Sequence, residues 1–206
     1  MKRFPALGLA ALVLGCLVTL LVLPSERVEA GIAGTKHDLS GKNWGSNQLC
    51  IFCHTPHNAS TVAEPLWNHA ITASTFTVYS SATLDATVGQ PDGSSKLCLS
   101  CHDGTVANDS FGSQTGSHTM TGTPLLGKDL SNDHPISFTY DAALATTDGG
   151  LVTPVSAAYV DSAKKLPLYS AKMQCATCHS VHDNTNGFFL RMSNAGSAMC
   201  LSCHNK

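Results

Sequence analysis

The chain has 206 residues, nine cysteines and ten histidines, yet only 13% of it is charged and 6% aromatic. Its 43% apolar fraction is inflated by the first thirty residues, and the remainder is rich in Gly, Ser, Thr and Asn, which argues against an ordinary apolar core. The formal charge of −2 at pH 7 argues against nucleic acid or an anionic membrane as partner.

Lys2-Arg3, an apolar run from Leu7 to Leu23 and the small-residue stretch Val28-Glu29-Ala30 read as a secretory signal peptide over 1–30, cut before Gly31. An uncleaved anchor, or a lipoprotein cut before Cys16, are the competing interpretations. Once the leader is gone, nine basic groups face twelve acidic ones, and no stable membrane insertion is expected. The expected location is secreted, periplasmic or cell-surface.

Four copies of one pattern follow. They are Cys50-Ile51-Phe52-Cys53-His54, Cys98-Leu99-Ser100-Cys101-His102, Cys175-Ala176-Thr177-Cys178-His179 and Cys200-Leu201-Ser202-Cys203-His204. C-x-x-C-H is the attachment signal for c-type haem. The two thiols add to the haem vinyls, and the adjoining histidine reaches the iron as proximal ligand. C-x-x-C alone also serves zinc and redox dithiols, but neither needs a histidine after every pair. The expected cofactor is four covalently bound haem c. Each haem brings a large apolar face and holds the chain at three points, the staple logic of small metal-stabilised domains.

The sites alternate. The first and third carry another histidine three residues on, His57 and His182; the second and fourth share Cys-Leu-Ser-Cys-His. One further histidine lies upstream in each half, His37 and His134. We read a doubled unit, 31–125 and 126–206, forming one compact domain with diverged loops. The repeat offers His37, His57, His134 and His182 as distal ligands. His57 and His182 lie too close to their own motifs to reach the far face of the same porphyrin, so each is expected on a neighbouring haem. His69 is the rival distal ligand. His118, in a Gly/Ser/Thr run, is expected to be solvated. Axial methionine from Met120, Met173, Met192 or Met199 lacks repeat symmetry.

Regular structure is expected to be sparse. Ser94 to Leu97 can start a helix with serine as its cap, and Ser193 to Ser197 another. Phe76 to Tyr79 and Ile136 to Tyr140 look strand-like, Pro91-Asp92-Gly93 turn-like, and Thr105–Pro124 and Thr146–Pro154 loop-like. Pro135 pushes His134 into extended geometry and so makes it project. Trp44, Trp67, Phe188 and Phe189 are expected against porphyrin edges. Asn58-Ala59-Ser60 and Asn108-Asp109-Ser110 match the glycosylation sequon by chance.

An iron with two imidazoles has no open position, so it passes electrons and binds no substrate. An electron-transfer protein, not an enzyme, is therefore expected, with no catalytic residue. The alternative is a reductase with one five-coordinate haem.

The segments 50–58, 65–69 (Pro-Leu-Trp-Asn-His), 98–104, 133–138 (Asp-His-Pro-Ile-Ser-Phe) and 175–182 together resemble the doubled C-x-x-C-H family of bacterial multihaem cytochromes. With four haems and Lys36-His37-Asp38-Leu39, the chain looks most like the OmcE-type tetrahaem cytochromes of metal-reducing bacteria. The resemblance spans 31–206. It implies a multihaem cytochrome c fold, mostly loop with short α-helices and a few short β-strands around a stacked four-haem core. It also implies head-to-tail self-association into an extracellular filament, with one haem ligand crossing between copies and His37 as a plausible donor. The expected partners are other cytochromes or extracellular electron acceptors. A monomeric periplasmic shuttle with the same core is the alternative.

Overall fold

The computed structural model describes residues 31–61, 63 and 65–205; the leader segment and Cys16 lie outside them. The fold is mostly loop with short helices and one two-stranded sheet. Four α-helices occur among the described residues: α1 (Gly93–His102), α2 (Ala142–Asp148), α3 (Cys175–Cys178) and α4 (Ala198–Leu201). Strands β1 (Phe138–Thr139) and β2 (Lys172–Met173) pair antiparallel, Phe138 opposite Met173. None of the helices described is long and apolar enough to cross a membrane.

Helix α1 carries the second motif on its last two turns. Its N-cap is Asp92, in extended geometry and without a side-chain capping bond, so the serine cap expected at Ser94 is not formed. Its buried face is Ser95, Leu99 and Ser100. Helix α2 was not foreseen, and it takes the first residues of the loop expected at Thr146–Pro154. The Asp141 carboxylate accepts from Leu144 N at 2.9 Å, and Gly149 at φ 69° ends the helix, a position that favours glycine. The expected strand at Phe76–Tyr79 shrinks to one parallel bridge, Thr77 to Asp129. The Gln90 side chain explains why. It accepts from Phe76 N and donates to Phe76 O, both at 2.8 Å, taking the bonds another strand would need. Strand β1 is shorter than expected because Ser137, at φ 63°, turns out of extended geometry just before it.

The apolar core is small and divided. Phe138, Tyr140, Val160, Leu166, Leu168 and Met173 form one cluster; Phe76, Leu99 and Leu130 form another. Met173 is core, and Met192 and Met199 pack against the first cluster. Much of the remaining interior is polar, and Ser95, Ser100 and Thr177 are fully buried.

That polar interior joins the two halves. Helices α1 and α3 pack on one another. Gln174, just ahead of α3, donates from Nε2 to Asp92 at 2.7 Å and accepts on Oε1 from Ser95 N at 3.2 Å and Ser137 Oγ at 3.1 Å. Cys175 N donates to Ser95 Oγ at 2.9 Å, and Lys172 pairs with Asp92. Gln174, Ser95 and Ser137 thus partner one another, as burial in a low-dielectric interior requires.

Candidate haem-binding sites

All eight motif cysteines are free thiols, and no disulfide forms among the described residues. The second and third motifs lie on α1 and α3, the fourth begins on α4, and the first is a single turn closed by His54 N donating to Cys50 O at 2.8 Å. Within a turn, the third residue on is a surface neighbour, so both sulfurs of each motif face one side. Burial lifts most of these thiols: Cys53 and Cys203 to about 11, Cys101 to about 12. Cys98 is held protonated by the hydrogen bond it shares with Cys175 and by burial. The hydrogen bond between Cys98 and Cys175 joins the second and third sites, while Cys53 lies near enough to raise the Cys101 thiol and Cys200 near enough to raise that of Cys178.

Three of the four motif histidines are held by backbone carbonyls. His54 Nδ1 donates to Pro65 O at 2.8 Å, His102 Nδ1 to Pro124 O at 2.8 Å and His179 Nδ1 to Phe188 O at 2.9 Å. A carbonyl at Nδ1 fixes the tautomer and leaves the Nε2 lone pair for a metal. Sequence reasoning missed these carbonyl donors, because any residue type can supply one.

In the first and third motifs the carbonyl belongs to a brace of equal design. Thr55 N donates to Leu66 O at 2.9 Å, and Ser180 N to Phe189 O at 2.7 Å. Asn68 N donates to Cys53 O, and Arg191 N to Cys178 O, both at 2.9 Å. Side chains repeat the theme: Asn68 Nδ2 donates to Ile51 O at 2.5 Å, Arg191 Nε to Ala176 O at 2.6 Å. The braces turn sharply, with Leu66, Phe188 and Phe189 at φ 50°, 49° and 58°. Such conformations cost a non-glycine residue about 1–2 kcal/mol and are held by their surroundings. The Phe189 ring meets His37 edge-on at 4.6 Å, whereas Phe188 is 86% exposed.

The histidines fall into facing pairs. An iron–imidazole bond is about 2 Å long and the ring centre lies about 1 Å beyond the bonded nitrogen. Two imidazoles on opposite faces of one iron therefore hold their centres about 6 Å apart. His54 and His182 are stacked at 6.1 Å and 24°, His37 and His102 lie at 6.1 Å and 47°, and His134 and His204 at 6.4 Å and 74°. Each pair joins a motif histidine to a non-motif one, so the donor set fits haem iron. By contrast, no group of three or more His, Cys, Asp or Glu capable of holding a bare metal ion occurs among the described residues.

The surroundings of His37 and His182 disfavour their charged forms. Burial first, then His102, His179 and His182, bring His37 down from 6.5 to about 4. His182 is lowered by burial, His54 and Arg191.

Among the described residues no imidazole faces His179. His57 is exposed and faces no motif histidine. His69 is buried, with Nδ1 at 2.7 Å from Ala70 O and Nε2 at 3.0 Å from Ala107 O, and its ring opposes no motif histidine. His118 is exposed in its loop, as expected; its Nδ1 bonds the buried Asp109 carboxylate at 2.7 Å, and its ring stacks on Trp44 at 4.7 Å. Trp67 packs edge-on to His54 at 6.1 Å.

Residues 169–206 match the doubled CXXCH motif family. No curated protein matches the chain. That match takes in the third and fourth C-x-x-C-H sites; the first and second repeat the same motif outside it, and each copy has the form of a covalent haem c attachment site.

Proposed function

We propose that this chain is a tetrahaem electron-transfer protein whose irons are closed by paired imidazoles. His54–His182, His102–His37 and His204–His134 would hold three haems. The three facing pairs at 6.1–6.4 Å carry this assignment. Haem, when bound, supplies a one-electron couple. The chain attaches it through the eight motif cysteines, orients the His54, His102 and His179 imidazoles by backbone carbonyls, and fills the distal face so that no substrate enters. Adjacent sites give the electron successive stations.

The fourth iron, at His179, needs a distal ligand from elsewhere. His57 holds the place in the first motif that His182 holds in the third, and it is exposed. We assign it to the His179 iron of a neighbouring copy, in a head-to-tail polymer outside the cell. His37, the donor expected from the resemblance, faces His102 within its own chain and is already used. A second interpretation follows from the same gap: an isolated chain with a five-coordinate haem at His179 would be a reductase.

Carbon monoxide separates the two. The reduced secreted protein is expected to form filaments under the electron microscope and to bind no carbon monoxide. His57→Ala is expected to abolish filaments and open one haem in four to the gas. Native binding at one haem, with no filaments, would favour the reductase.

A further inference from the structure

Arg191 does in the second half what Asn68 does in the first, and it adds a charge the task does not require. Each donates a side-chain N–H into its own C-x-x-C turn, to Ala176 O at 2.6 Å and Ile51 O at 2.5 Å. Each also donates its backbone N–H to the second cysteine's carbonyl, Cys178 O and Cys53 O. A neutral amide is enough to lock the turn. Arg191 is half-buried, and its remaining contact is neutral too, Nη2 to Tyr169 Oη at 2.9 Å. Among the described residues no carboxylate lies within ion-pair distance of it. A partly desolvated cation without a counter-ion is costly, and the cost is avoidable here, since asparagine meets the same geometry.

A fixed positive charge beside a redox centre favours the form with the extra electron. We propose that Arg191 is a positioning residue that also sets potential: it locks the third motif, and its charge, which no carboxylate of the described residues neutralises, holds the haem on Cys175 and Cys178 at a higher potential than a neutral donor in its place would. This rests on the haem assignment above.

The experiment is spectroelectrochemical titration of the complete four-haem protein. Arg191→Gln keeps a donor and removes the charge. It is expected to lower the midpoint of the third-motif haem most, with the oxidised-to-reduced ratio of that haem rising about tenfold at fixed potential, or about 59 mV for one electron, and to lower that of the haem closed by His182 less. Arg191→Lys keeps the charge and should restore most of that shift. Asn68→Arg is the reciprocal and should raise one midpoint, which keeps the test alive if Arg191→Gln loses its third haem. Four haems with unchanged midpoints in Arg191→Gln, or equal shifts in the Gln and Lys variants, would overturn the role of the charge. A wild-type protein whose mass shows no covalent haem would instead overturn the haem assignment itself.

Discussion

At the scale of single residues, the imidazoles decide the chemistry, and their protonation decides the imidazoles. His37 sits near 4 because burial and three neighbouring histidines resist its charge. In the unfolded chain the same ring takes a proton below about pH 6.5. The unfolded state therefore binds more protons between those values, and stability contributed by neutral His37 is full above about pH 6.5 and lost as pH falls toward 4. An iron bond removes the ring from titration and extends the window downward. Urea denaturation of the haem protein is expected to show a midpoint that falls across this range, and His37→Phe should flatten the slope. The motif and upstream histidines were legible because their chemistry dictates residue type. Their pairing was not, because facing across about 6 Å is a property of folded backbone. The contact of His118 was not legible for a related reason: its partner Asp109 is nine residues away and joined only through a loop.

At the scale of elements, the joint between α1 and α3 is a polar lattice centred on Gln174, which is 2% exposed. Burial tends to raise the Asp92 carboxyl, but Lys172 and Gln174 outweigh it and hold it below its ordinary value. Its contribution to stability is therefore present at neutral pH and lost as pH falls through that lowered value. Gln174→Met removes the amide that joins Asp92, Ser95 and Ser137 and strands their buried groups. The expected cost is about 2–4 kcal/mol, read by chemical denaturation with haem content unchanged. Helix α1 was legible from its turn and its C-x-x-C-H. Helix α2 was missed although its signals were present, Asp141 as cap and Gly149 as terminator. The Phe76 strand failed because a distant glutamine side chain supplied what alternating residues appear to request from another strand.

At the scale of the whole molecule, two small apolar clusters and a polar interior do not make a self-sufficient domain. Fully buried Ser95, Ser100 and Thr177 bury little apolar area. The three-point attachment of each haem must supply what the core lacks. Replacing all eight motif cysteines by alanine is expected to abolish any cooperative thermal transition in far-UV circular dichroism. A native-like melt would show that the polypeptide folds unaided. The alternation of the four motifs is visible in residue order alone. The interlocking of the segments around the second and third motifs was not legible, since Asp92 and Gln174 are 82 positions apart. The braces have a last consequence. Because main-chain oxygens aim the motif imidazoles, their side chains are released from that duty. Homologous wires could therefore drift widely in spelling while keeping the same alignment, provided the length and curl of each brace are preserved.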